Sequence, residues 1–104
     1  MVGEPEEIDV QEFEWDEWNT AHLAEHGVLR SDVDAVRLNA PLFFANLPDR
    51  SGSHVMIGPD AAGGFFYVVL VESERAGVWR VITAYRYARR RALRYYRRAP
   101  DDDS

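Results

Sequence analysis

The spacing of apolar and polar positions changes twice along the chain, and the changes outline the elements. In FEWDEWNTAHLAEHG (13–27), Trp15, Asn19, His22 and His26 fall at i, i+4, i+7 and i+11. That stripe predicts a helix packed along one side. Asp16 is placed to cap it, Glu17 suits its first turn and Gly27 its C-terminal stop. A second short helix is expected from Ser31, whose hydroxyl can cap, with Val33, Val36 and Leu38 inward until Pro41 ends it. Then the pattern shortens. PLFFANL, HVMIG, FFYVVLVE and VWRVITAYR are rich in β-branched and aromatic residues, and PDRSGS, PDAAGG and SERAG separate them with turn compositions of hairpin length. The last segment, ARRRALRYYRR, returns to helical spacing. Ala88, Ala92, Tyr95 and Tyr96 fall on one side, with Arg90, Arg94, Arg97 and Arg98 on another. The expected order is α-α-β-β-β-β-α, an α+β fold with a four-stranded antiparallel sheet.

Composition limits what such a fold can be. At 104 residues there is room for one core, and a hydrophobic content of 46% supports one. Residues 12–98 are expected to form this domain, between a flexible acidic lead (1–11) and an acidic tail (99–104). With no cysteine there is neither a disulfide framework nor a thiolate metal site. The N-terminal stretch lacks the basic-then-apolar order of a signal peptide, and the longest apolar run, FFYVVLV, is too short to span a bilayer. A cytoplasmic protein without membrane association is the expectation.

Charge changes the picture more. The net charge of −6 conceals a division, because residues 1–34 carry eleven acids and one base, whereas residues 75–98 carry nine arginines and no acid. An acidic average therefore does not exclude a polyanionic partner. Every basic residue is Arg, which pairs with phosphate through two donors and stacks on bases. Tyr85, Tyr87, Tyr95 and Tyr96 are interleaved with these arginines, the combination used to bind single-stranded nucleic acid. The simpler alternative is a solvated arginine face paired with the acidic N-terminal segment. Strict alternation along VWRVITAYR puts Arg80, Ile82, Ala84 and Arg86 on one face of the last strand. An arginine in mid-strand among Ile and Ala calls for a partner or a solvated groove. His22-Leu23-Ala24-Glu25-His26 spells the H-x-x-E-H zinc-peptidase pattern. Such enzymes need a third ligand and a cleft in a much larger chain, so no metal and no cofactor is expected.

FEWDEWNTAHLAEHGV, the valine-rich second helix, MIG, FFYVVLVE and WRVITAYRYARRRALRYY, in this order and spacing, resemble BrnT-type toxins of type II toxin–antitoxin systems. The likeness covers about residues 13–98. It implies a RelE-like fold, a metal-independent ribonuclease that inhibits translation, RNA as substrate, and a ribbon-helix-helix antitoxin as partner. A homo-oligomer or a toxin–antitoxin complex would be the assembled form. Carried onto this chain, it makes Arg80 and Arg86 the phosphate-holding pair and His26, with His22 second to it, the acid or base. Tyr95, or Tyr87 in its place, would stack on a base or position the leaving group, with Arg89, Arg90, Arg94 and Tyr87 along the RNA and His54 as a spare histidine. The chain departs from the family at Asn19, Glu25, Ser53, Ala88 and Arg91, where members often carry Lys, Lys, Arg, Thr or Ser, and Glu. A catalytically inactive RNA- or protein-binding module on the same fold is the alternative.

Overall fold

The computed structural model describes residues 2–97. Its elements are β1 (Val2–Glu6), β2 (Glu12–Glu14), α1 (Glu17–Glu25), α2 (Arg30–Arg37), β3 (Leu42–Ala45), β4 (His54–Pro59), β5 (Phe65–Glu72), β6 (Val78–Tyr87) and α3 (Arg89–Arg97). The class is α+β. Strands β3 to β6 form the expected antiparallel meander, but the sheet has six strands in the order β1-β3-β4-β5-β6-β2.

The two unexpected strands both come from the acidic N-terminal stretch. The segment expected as a flexible lead contributes β1, antiparallel to β3. Glu12–Glu14 then runs parallel to β6 at the opposite edge. Both are short edge strands dense in acids, and only Phe13 of β2 is buried. Edges tolerate charge where central strands do not, so their polar sequence hides their conformation. Between them Ile8 and Val10 pack on the core. The residues assigned to the acidic tail, 99–104, and Arg98 lie outside the described residues.

Helix α1 has the termini its sequence predicts. Asp16 Oδ1 accepts from Asn19 N–H at 2.9 Å and Asn19 Oδ1 accepts from Asp16 N–H at 2.9 Å, a reciprocal cap. At the other end Gly27 takes φ +72°, Gly27 N–H donates to Ala24 O and Val28 N–H to Leu23 O. Buried Leu23 and Val28 join the same core around this Schellman turn. Helix α2 differs from expectation at both ends. It starts at Arg30 and not from a Ser31 cap, with Asp32 Oδ2 accepting from Leu29 N–H at 2.9 Å. Leu38, expected inward, is exposed because it lies two positions after buried Val36, which puts it on the opposite side of the helix.

Helices α1 and α2 cover one sheet face, where Leu23, Val33 and Val36 meet Met56, Phe66, Val68, Leu70 and Val81. On the other face Ala92 of α3 packs against Phe44, Val55, Ile57 and Phe65. The Tyr96 hydroxyl pins α3 by donating to Ala40 O at 3.0 Å, with Ile57 O at 3.3 Å.

Candidate nucleic-acid interface

The register of β6 decides which of its side chains meet. Val69 pairs with Thr83 but the next residue, Leu70, pairs with Val81, so Ile82 is an extra residue in a bulge. A bulge reverses the alternation beyond it. Trp79 and Val81, then Ala84 and Arg86, therefore point to the α1/α2 face, while Arg80, then Thr83, Tyr85 and Tyr87, point to the α3 face. Strict alternation had grouped Arg80 with Arg86. The bulge sends them to opposite faces, and they do not form one phosphate clamp.

Each has its own surroundings. The Arg80 Nη1 lies 2.7 Å from Asp16 Oδ2 and 3.7 Å from Glu14 Oε1. Its hydrogen bond to Asp16 holds that carboxyl below the ordinary aspartate range and raises the arginine's own pKa. Arg80 thus joins the start of α1 to β6. Glu12 meets Arg75 at 3.7 Å in the same way, so the acidic segment pairs with the β6 end of the basic region. Arg86 is exposed on the α1/α2 face with its guanidinium 5.1 Å above the Phe66 ring.

What gathers on the α3 face is a set of tyrosines. Tyr67 and Tyr85 stack with centroids 5.0 Å apart and planes 18° from parallel, and Tyr87 tilts against Tyr67 at 5.2 Å. Beside them is a cleft of about 300 Å³. Tyr67, Val69, Thr83 and Tyr85 form its floor, and Asn46, Leu47, Arg50 and Ser51 of the β3–β4 loop form its wall. The loop is held in shape by Asn46, whose Nδ2 donates to Ser51 O at 2.8 Å while its Oδ1 accepts from Leu47 N–H. Arg50 and Arg91 contribute positive charge, opposing the rise in the phenol pKa values of Tyr67 and Tyr85 that burial causes. Arg91 also lies over the Tyr87 ring at 5.0 Å. Among the described residues Arg50, Arg89, Arg90, Arg91 and Arg94 form no ion pair. Burial and a hydrogen bond with Tyr95 push Tyr87 up to about 12, so these phenols are neutral at physiological pH.

The other expected residues are dispersed around this cleft. Tyr95 packs edge-on against Phe44 at 5.3 Å, with its phenol near enough to Tyr87 to help raise that group's pKa. The Arg89 guanidinium lies 5.7 Å from the Phe65 centroid, and Arg90 and Arg94 are exposed on α3. His26 is exposed at the C-terminus of α1, with its ring 6.2 Å from that of Tyr85, at the rim. His54 is on the α1/α2 face, within hydrogen-bonding distance of Glu6 (3.1 Å) and Ser53 (2.9 Å) and edge-on to Trp79, away from the cleft. His22 and His26 meet edge to face at 5.5 Å, and among the described residues no three His, Asp or Glu side chains converge as metal ligands would. Asn19, expected in the stripe, is fully buried: its Nδ2 donates to Glu14 O (3.0 Å) and Val81 O (3.1 Å).

Sequence reasoning missed Arg50, Tyr67, Thr83 and Arg91 as members of this site. Period 2 places Tyr67 opposite its buried neighbours Phe66 and Val68, a usable signal. Arg50 enters only through the course of its loop. No described helix is long and apolar enough to cross a membrane. Comparison with protein-family models, with curated proteins and with solved structures finds no match to this chain.

Proposed function

We propose that this chain binds single-stranded RNA on its tyrosine face and serves as the toxin of a type II toxin–antitoxin pair, cutting RNA without a metal on a RelE-like scaffold. The observation that carries the RNA reading is the Tyr67–Tyr85–Tyr87 ring set beside a cleft edged by Arg50. Neutral aromatic faces accept any base, and guanidinium groups without carboxylate partners remain for phosphate. The toxin assignment and its ribbon-helix-helix antitoxin rest on the sequence resemblance to BrnT-type proteins.

In this reading the phosphate-holding role passes from Arg80 and Arg86 to Arg50 and Arg91, and Arg89, Arg90 and Arg94 extend the basic surface along α3. The 2′-hydroxyl of the bound nucleotide attacks phosphorus and its proton passes to His26, while the bond to the 5′-oxygen breaks as that oxygen takes a proton from the Tyr87–Tyr95 phenol pair. Water then carries a proton from His26 back to the phenol pair. A 2′,3′-cyclic phosphate and a 5′-hydroxyl end result. A second reading, an RNA-binding module without catalysis, is favoured by the raised phenol pKa values. They keep the phenols of the cleft protonated at neutral pH, and His26 stands only at the rim.

Incubation of purified protein with RNA in the presence of a chelator distinguishes the readings. Cleavage to cyclic-phosphate ends, lost in folded His26→Ala protein that still binds RNA, supports the nuclease. Binding without cleavage supports the module. Absence of RNA binding refutes both.

A further inference from the structure

The rings of the cleft do not stop at Tyr85. From Tyr85 the next ring is His26 at 6.2 Å, then His22 at 5.5 Å from His26, then Trp18 stacked on His22 at 5.0 Å and 11°. Trp18, His22 and His26 are spaced i, i+4 and i+8, so they form one row along the flank of α1. The row lies beside β6 because β2 covers that strand's edge only as far as Arg80, after which Asn19 of α1 reaches the Val81 carbonyl. The row is open to solvent at both ends: Trp18 is 58% exposed and Tyr85 38%. A tryptophan left this open on a small fold stabilises the core little, yet here it is held face to face with a second ring.

We infer that the RNA site is longer than the cleft: a single strand seated on Tyr67 and Tyr85 continues around the edge of β6 and stacks along His26, His22 and Trp18. The inference rests on the RNA reading of the tyrosine face. The charge around the row states how it must work. Glu25 is 4.0 Å from His22, and Glu17 and Asp16 flank Trp18 in sequence, so this stretch offers no net positive charge to phosphates. Its contribution is stacking, whereas that of the cleft includes pairing of Arg50 and Arg91 with phosphate. Affinity gained from the row is accordingly insensitive to salt, and affinity gained from the arginines falls as salt rises.

The test uses the full chain and two uncleavable 2′-O-methylated oligouridines, a dinucleotide that fills the cleft alone and an octanucleotide that reaches α1. Dissociation constants are measured across a salt series. Trp18→Ala is expected to weaken the octanucleotide about tenfold, to leave the dinucleotide unchanged and to leave the slope of affinity against salt unchanged. Trp18→Phe is expected to restore most of the loss, which a merely structural role on an exposed position would not explain. Tyr85→Ala is expected to weaken both oligonucleotides. Octanucleotide affinity unchanged by Trp18→Ala, while Tyr85→Ala still weakens it, overturns the extended track and leaves the cleft standing. A change in sedimentation of Trp18→Ala with no change in RNA affinity also overturns it, by making the row a protein-contact surface. If neither variant alters RNA binding, the RNA reading of the tyrosine face fails with it.

Discussion

Arg80 Nη1 sits 2.7 Å from Asp16 Oδ2, so an arginine that looked like a phosphate ligand is instead the clasp between the cap of α1 and strand β6. Its consequence is a defined pH dependence. The folded-state pKa of Asp16 lies below its unfolded value because of Arg80 first and the Asn19 backbone second. The stabilisation is therefore present above the unfolded aspartate pKa and disappears as pH falls through the lower, folded one. Thermal melting of wild type and Arg80→Ala across the acid range is expected to show a smaller acid-induced loss in the variant. Equal losses would remove the clasp. RNA binding is expected to survive in Arg80→Ala.

Asn19 supplies a second test of the same corner. Its amide satisfies the carbonyls of Glu14 and Val81 while its oxygen caps Asp16 N–H, all from a side chain with no exposure. Asn19→Ala strands these groups and is expected to cost roughly 2–4 kcal/mol, since each unsatisfied buried group costs about 1–3 kcal/mol. Denaturant unfolding measures it. Asn19→Asp, which keeps the acceptor but places a carboxylate against two carbonyls, is expected to fare no better.

The bulge makes a sharper prediction. Deleting Ile82 would remove the extra residue while Val81 stays opposite Leu70 and Thr83 opposite Val69, so Thr83, Tyr85 and Tyr87 keep the α3 face and Ala84 and Arg86 the α1/α2 face. A deletion variant that unfolds cooperatively and keeps its RNA affinity is expected, as is tolerance of Ile82→Val within about 1 kcal/mol. A deletion variant that folds but no longer binds RNA would contradict this register, because it would mean that Tyr85 and Tyr87 had left the α3 face.

This residue also marks where the sequence stopped being legible. The meander, α1 with its Asp16 cap and Gly27 stop, and the arginine helix could all be read, because apolar spacing and turn residues report directly on local backbone. Val2 in β1 and Phe13 in β2, each isolated beside acids, give no period, so these two strands were not readable. A bulge has no signature in VWRVITAYR, since Ile82 suits either face. One unreadable residue separated Arg80 from Arg86 and brought Tyr85 onto Tyr67. The site was half visible: Tyr87, Tyr95 and His26 lie in or beside it, while Arg50, Tyr67 and Thr83 enter through tertiary pairing that spacing does not encode.

Phenol titration checks the packing of the α3 face. Tyr87 and Tyr96 are each pushed up to about 12, Tyr96 by burial and Tyr87 by burial with its Tyr95 hydrogen bond. A folded pKa above the unfolded value of about 10 means stability is complete below pH 10 and falls as pH rises toward 12. Ultraviolet titration of phenolate absorbance is expected to show phenols delayed beyond pH 10, with Tyr87 and Tyr96 the last. Tyr96→Phe removes one delayed group, and its two lost hydrogen bonds should loosen α3. Five tyrosines titrating together near pH 10 would contradict the packing.

The account's central claim is that RNA binds the face carrying Tyr67 and Tyr85 and not the face carrying Arg86. The most direct measurement compares the affinity of one single-stranded RNA for wild type, Tyr67→Ala/Tyr85→Ala and Arg86→Ala, each verified as folded by circular dichroism. The double tyrosine variant is expected to lose roughly 1–3 kcal/mol for each base that stacks there, with Arg86→Ala close to wild type. Binding abolished by Arg86→Ala and untouched in the double tyrosine variant would contradict it.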